Sequence, residues 1–153
     1  MHSTRVSHTV RAPRGAVYRA LLDPEAVARW RVPEGMRCVV HAFEGVEGGA
    51  FRVSLIYDEP GGKGKSAERT DTYHGHFARL VPDEVVVEVL EFETDDPEFG
   101  GVMTMTTTLT DVEGGTEVDI VHTGVPDAVP AADNETGTRM ALAHLARLVE
   151  SGE

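Results

Sequence analysis

Apolar and polar positions alternate along most of the chain, and this two-residue period predicts half-buried β-strands. The pattern is densest at Glu84–Glu93, where valines predominate and β-branched side chains favour a sheet. The other predicted strands are Thr4–Arg11, Met36–Glu44, Gly48–Tyr57, Thr70–Leu80, Val102–Thr110 and Thr116–Thr123. Short glycine-rich turns separate several neighbouring strands, and this spacing is typical of an antiparallel meander.

Helical signals interrupt the strand pattern after the first strand and at the end of the chain. Ala12-Pro13 opens one short helix, and Asp23 then caps a second over Pro24–Trp30, with proline at its favoured first position. The clearest helical period covers Asn134–Glu150, and Asp133 or Asn134 is its predicted cap. One face of that last helix is apolar and comprises Thr138, Ala141, Leu142, Leu145, Leu148 and Val149.

The order of elements is therefore a strand, two short helices, six strands and a long terminal helix, which defines an α+β fold. A curved antiparallel sheet has one face to cover, and a single long helix is available to cover it. Such a sheet, wrapped on one helix, tends to leave a concave apolar space of the kind that binds small molecules.

Several short motifs occur in an order that resembles a known group of proteins. They are Ala12-Pro13, Asp23-Pro24, Gly48-Gly49-Ala50-Phe51, Gly75-His76-Phe77, Gly115-Thr116-Glu117-Val118, and Gly137 followed by residues 140–146. Over about residues 4–150 the chain resembles the SRPBCC superfamily (START-like, or Bet v 1-like). Within it, the chain is similar to the group named after the C-terminal domain of the activator of heat-shock protein 90 ATPase. The resemblance implies a helix-grip fold, in which a curved antiparallel sheet wraps around a long C-terminal helix and encloses a cavity.

Two positions depart from the pattern of that group. Arg31 follows Trp30 where many relatives have a second aromatic residue, and Thr138 follows Gly137 where many have tryptophan. We expect both changes to shrink or reshape an aromatic cavity wall.

Strand alternation divides each strand into two faces and so suggests which side chains line the cavity. In Glu84–Glu93 each face contains one acid, either Glu91 or Glu88, so the pattern alone leaves the inner face open. The resemblance favours the face with Glu91. The predicted ligand-binding residues are Trp30, Tyr73, His76, Phe77, Val87, Val89, Glu91, Met103, Met105, His122, Met140 and Leu145. The alternative for these residues is plain core packing.

Composition is compatible with one domain over residues 1–153, since 41% of the residues are apolar. The formal net charge of −12 argues against non-specific binding to nucleic acid or to an anionic membrane surface. No apolar run approaches the roughly 18 residues of a membrane span, and no signal-peptide core follows Met1. Because Cys38 is the single cysteine, we expect no intrachain disulfide and a cytoplasmic protein with a reduced thiol.

Basic residues are concentrated at the start of the chain. Residues 1–40 contain seven arginines and three acidic residues, which gives a net charge of +4 against −16 for the remainder. Solvated helix faces explain this pattern, and so does a positive rim that attracts an acidic ligand or partner.

Candidate chemistry is sparse. Glu91 and His122 are the candidate catalytic residues, as an acid/base pair across the cavity, and the alternative is two unrelated residues at strand ends. His74 and His76 point to one face of a strand, but the further ligands of a metal site are missing, so we predict no metal and no cofactor. The segment Gly61–Ser66 has Glu59 where a phosphate-binding loop needs its first glycine, and we reject that interpretation.

The leading hypothesis is therefore a protein that binds a small apolar or aromatic metabolite or lipid between the sheet and the terminal helix. One alternative is a co-chaperone-like module that binds a protein partner through a charged face. Another is an enzyme resembling an aromatase/cyclase, with Glu91 and His122 as its acid and base. Self-association as a homodimer stays open, because no interface signature is present.

Overall fold

The computed structural model describes residues 2–32, 35–57 and 70–150. The strands are β1 (His2–Val10), β2 (Met36–Phe43), β3 (Ala50–Tyr57), β4 (Thr70–Val81), β5 (Val85–Phe92), β6 (Met103–Val112) and β7 (Gly115–Val125). The helices are α1 (Arg14–Leu21), α2 (Pro24–Trp30) and α3 (Ala131–Glu150). This order confirms the predicted α+β helix-grip fold. Segment Gly61–Ser66, with the rejected phosphate-binding loop, lies outside the described residues.

In the described part of the chain, seven strands form one antiparallel sheet in the order β1-β7-β6-β5-β4-β3-β2. The strands from β2 to β7 are neighbours in sequence, as a meander requires, while β1 pairs with β7 at the other edge. The register shifts in β1, in β2 between Val40 and Ala42, and in β4 between Phe77 and Arg79. Irregularities of this kind bend a strand and increase its twist, which helps the sheet curve around α3.

Two glycines permit close backbone contacts between strands. A Cβ atom on Gly75 of β4 would lie 2.1 Å from the carbonyl oxygen of Val89, and one on Gly115 of β7 would lie 2.1 Å from that of Val10. Any larger residue at either position would push neighbouring strands apart, so glycine is required there by space.

Local signals explain α2 but not the start of α3. The carboxylate of Asp23 accepts a hydrogen bond from the Glu25 backbone N–H at 3.0 Å, as the capping prediction required. Helix α3 begins at Ala131, directly after Pro130, so the prediction that Asp133 or Asn134 caps it is wrong. Asn134 instead accepts a hydrogen bond from the hydroxyl of Thr4 on β1 and ties the first turn of α3 to the sheet.

The hydrophobic core lies between α3 and the inner face of the sheet. Helix α3 contributes Thr138, Ala141, Leu142, Leu145, Ala146 and Val149, all of them buried. Strand β5 contributes Val86, Glu88 and Leu90, each less than 10% exposed. The prediction that Val87, Val89 and Glu91 face the helix is therefore wrong, because the alternate face of β5 is the inner one.

Long-range ion pairs neutralise part of the basic charge at the start of the chain. Arg5 pairs with Asp119 at 2.8 Å and Arg14 with Asp111 at 3.0 Å, both at the surface. Arg31 pairs with Glu88 inside the fold. The sequence-level charge asymmetry is thus partly cancelled in space. No helix among the described residues is both long and apolar enough to cross a membrane.

Candidate functional site

A cavity of about 910 Å³ lies between the sheet and α3. Its walls come from β2 to β7, the end of α2 and one side of α3. The loops before β6 and before α3 contribute Asp96, Phe99 and residues 128–130. The cavity opens beside these loops, where Asp96, Asp133 and Thr136 are exposed.

The structure places half of the predicted ligand-binding residues in the cavity wall. These are Trp30, Tyr73, Met103, Met105, His122 and Met140. Phe77 and Leu145 are 1% and 0% exposed in the core and do not line the cavity. His76, Val87, Val89 and Glu91 lie on the other face of the sheet. Whether the six lining residues contact a ligand stays a prediction.

The outer face of the sheet uses Glu91 in a surface network. Its carboxylate lies 3.2 Å from His74 Nε2, while Glu93 lies 3.1 Å from His74 Nδ1 and also accepts two hydrogen bonds from Arg52. The Arg52 hydrogen bond is the main cause of the lowered pKa of Glu93. Because Glu91 and His122 occupy opposite faces of the sheet, the predicted acid/base pair does not form. Within residues 2–32, 35–57 and 70–150, no three His, Cys, Asp or Glu side chains are grouped as metal ligands.

A buried ion pair lies at the polar wall of the cavity, where Arg31 is a lining residue and Glu88 is its buried partner outside the lining. Arg31, just after α2, donates from Nη1 to Glu88 Oε1 at 2.5 Å, and the two side chains are only 14% and 5% exposed. Nη2 lies 3.1 Å from the sulfur of Met105, and the guanidinium carbon lies 5.4 Å from the ring centre of Tyr73. Burial alone would lower the pKa of Arg31, but Glu88 outweighs it and raises that pKa. Arg31 is therefore a charged donor whose charge is balanced inside the protein.

Two further polar groups near this pair are shielded from water and incompletely hydrogen-bonded. They are the hydroxyl of Tyr73, which interacts with the Arg31 guanidinium but has no acceptor for its own proton, and Nδ1 of His122. Burial raises the pKa of Tyr73 to about 12. Burial, with the charge of Arg31, lowers the pKa of His122 to about 4. Both side chains are thus uncharged near neutral pH, and each unpaired polar group costs about 1–3 kcal/mol.

A second polar contact joins Tyr57 and Asp71 in the cavity wall. The Tyr57 hydroxyl donates to Asp71 Oδ2 at 3.3 Å, and burial together with Asp71 raises the pKa of Tyr57 to about 12. Asp71 is only 3% exposed.

The mouth of the cavity is acidic. Asp96 and Asp133 belong to its lining, and Glu98 and Asp127 line an adjoining depression of about 490 Å³ that shares Ala128 with the cavity. Arg31 is the one arginine or lysine among the described lining residues. The opening therefore repels anions, and in the interior Glu88 balances Arg31 while Asp71 adds a further acidic side chain to the wall.

Sequence reasoning missed the two residues of the buried ion pair. In the sequence, Arg31 stands out as a break in an aromatic pattern, and Glu88 is the acid on the face of β5 that the resemblance does not favour. A buried acid needs a partner, and the sequence offers no local sign that Arg31, 57 positions earlier, supplies it.

The curved sheet, the long terminal helix and the cavity between them are those of a helix-grip protein of the SRPBCC superfamily. The family model described as Activator of Hsp90 ATPase homolog 1-like protein matches residues 11–150. The chain therefore belongs to the Activator of Hsp90 ATPase homolog 1-like family, as the sequence resemblance predicted. No curated protein matches the chain.

Several solved structures have the same fold. A protein from Chromobacterium violaceum is 33% identical over 97% of both chains, with a TM-score of 0.86. An Activator of Hsp90 ATPase homolog 1-like protein from Aeromonas hydrophila is 18% identical over 98% of this chain and 93% of its own, with a TM-score of 0.73. DynU16, from the dynemicin biosynthetic locus, is 22% identical, and this chain covers 49% of it with a TM-score of 0.70. The last two similarities concern the fold alone.

Proposed function

We propose that the protein binds a small, largely apolar or aromatic molecule in the cavity between the sheet and α3. The observation that carries this proposal is the size of the cavity. Protein interiors are close-packed and leave few voids larger than a water molecule. A space of about 910 Å³ lies instead in the range of ligand pockets.

The chemistry of the wall supports the same function. Met103, Met105 and Met140 line the cavity from β6 and α3. Methionine side chains are flexible and polarisable, so they adapt to ligands of irregular shape. Trp30 adds a large ring that is fixed by a hydrogen bond from its indole N–H to the Ala20 carbonyl oxygen at 3.2 Å. A rigid ring beside adaptable side chains suits an aromatic ligand.

Mass spectrometry tests the proposal directly. We expect native spectra of gently purified protein to show an extra mass that disappears on denaturation. Added apolar ligands should also raise the melting temperature. A ligand at one hundred times its Kd stabilises the folded state by about 2.7 kcal/mol. For a chain of this size that corresponds to roughly 5–11 °C.

A cavity-filling variant locates the binding site. Ala141 lies in the cavity wall on α3, so Ala141→Leu should occupy ligand space and reduce the thermal shift. Ala143→Leu is the matched control, because Ala143 lies on the same helix outside the lining and should leave the shift intact. A folded wild-type protein with no bound mass and no shift across apolar ligands would contradict the proposal.

A further inference from the structure

One part of the cavity wall, formed by Arg31, Tyr73 and His122, has hydrogen-bonding groups that lack an acceptor. A guanidinium has five N–H groups. That of Arg31 is directed at the Glu88 carboxylate and at the weak sulfur acceptor of Met105. The Tyr73 hydroxyl interacts with the Arg31 guanidinium, which is itself a donor, so the hydroxyl proton has no acceptor among the described residues, and neither has His122 Nδ1 in the tautomer that is protonated there. A ligand oxygen that reaches this wall would supply the acceptor that the protein lacks.

Charge limits what that oxygen can belong to. Glu88 already balances Arg31, so the wall offers no net positive charge to a bound anion. The neutral states of Tyr73 and His122, which follow from their shifted pKa values, add none. An anion would also pass the carboxylates of Asp96 and Asp133 at the mouth and lose its hydration inside.

We propose that the cavity selects uncharged aromatic ligands that carry a carbonyl-type oxygen, such as aryl ketones, quinones or amides, over carboxylates of the same shape. Tyr73, His122 and Arg31 form the oxygen-binding wall, and Asp96 and Asp133 form the anion-rejecting mouth. This inference rests on the proposed function and names its ligand class.

Three naphthalene probes of similar shape separate the effect of the ligand oxygen from the effect of the ligand charge. They are naphthalene-2-carboxamide, naphthalene-2-carboxylate and 2-isopropylnaphthalene, whose affinities are measured by calorimetry and thermal shift. We expect the amide to bind at least tenfold more tightly than the carboxylate at pH 7. Equal or tighter binding of the carboxylate would overturn the proposal.

Substitutions test the oxygen-binding wall. We expect Tyr73→Phe and His122→Phe each to weaken binding of the amide about three- to tenfold, as loss of a hydrogen bond predicts. Both should leave binding of 2-isopropylnaphthalene unchanged or tighter. Tyr18→Phe, which removes a hydroxyl outside the cavity lining, is the matched control. Equal losses for amide and hydrocarbon would mean that Tyr73 and His122 act by shape, and would overturn the assigned role.

Charge-neutralising variants test the mouth. The double variant Asp96→Asn, Asp133→Asn should tighten binding of the carboxylate and leave the amide unaffected. The control is the double variant Glu47→Gln, Glu113→Gln, because these residues lie in turns at the end of the sheet opposite the cavity mouth. An unchanged carboxylate affinity would overturn the role of the mouth. If the folded wild type binds none of the three probes, the proposed function itself is contradicted. If the wild type binds the hydrocarbon but binds the amide no more tightly than the carboxylate, only this inference is rejected.

Discussion

Replacing Glu88 by leucine should strongly destabilise the protein, because the charge of Arg31 would stay buried without its carboxylate. The two side chains are only 14% and 5% exposed and their nearest polar atoms lie 2.5 Å apart. Removing one member of a buried ion pair costs about 3–5 kcal/mol. A Coulomb estimate of about 4 kcal/mol, for unit charges about 4 Å apart at an effective dielectric constant of about 20, agrees.

Urea denaturation and thermal melting measure this effect. A loss of 3–5 kcal/mol corresponds to a fall in melting temperature of roughly 6–20 °C for a chain of this size. Glu91→Leu is the matched control, because Glu91 lies on the outer face of the same strand and its side chain is 44% exposed. Exposed ion pairs contribute about 0–1 kcal/mol, so that variant should remain close to the wild type.

A double variant separates the contribution of the ion pair to stability from the cost of leaving one charge buried without a partner. Replacing Arg31 by methionine together with Glu88 by leucine removes both charges, and hydrophobic replacement of a buried pair is often neutral or stabilising. We therefore expect the double variant to recover most of the stability lost in Glu88→Leu. If Glu88→Leu alone stays within about 1 kcal/mol of the wild type, or if the double variant is the least stable, the reasoning about this pair is refuted.

Three further predictions concern the same core. The pKa of His122 is lowered from 6.5 to about 4 in the folded state, so the unfolded chain binds this proton first as the pH falls. The stability that neutral His122 contributes is complete above pH 6.5 and is lost as the pH falls toward 4. The variant His122→Phe should therefore show a smaller decline of the unfolding free energy between pH 6.5 and 5. An unchanged slope would contradict the lowered pKa of His122. Tyr73→Phe removes a buried hydroxyl whose proton has no acceptor, so the unfolding free energy should stay level or rise by up to about 1 kcal/mol, whereas a clear loss would show that its contact with Arg31 stabilises the fold. Gly75→Ala should lower the melting temperature markedly, because its Cβ would lie 2.1 Å from the Val89 oxygen, while Gly100→Ala, with 3.7 Å of clearance, should change it little.

The structure bears differently on the two alternative functions. The aromatase/cyclase hypothesis relied on Glu91 and His122 as a pair, and these residues lie on opposite faces of the sheet. The co-chaperone-like hypothesis stays a prediction, because membership of the family does not by itself identify a protein partner. A measured change in mass or elution with a protein partner, together with no response to small ligands, would favour it.

Elements whose signals are local were predictable from the sequence alone. Helix α2 begins and ends where predicted, because Asp23 and Pro24 act within one turn of its start. The order of the strands followed from alternation and glycine turns, and the resemblance named the fold. The start of α3 was missed because Asn134, a good cap by type, is engaged by Thr4 across 130 residues.

The face of β5 that points into the core could not be predicted from the sequence pattern. Both faces carry valines and one acid, so period and composition describe them equally well. The sequence by itself determined that β5 is a strand, that a sheet and one long helix must meet, and that Tyr73, Met103 and Met105 belong inside. Only the tertiary structure decided that Glu88 rather than Glu91 is buried, because only there does Arg31, at the end of α2, reach it. A buried carboxylate is tolerated where a cation compensates for lost hydration, and that compensation depends on positions far apart in the chain.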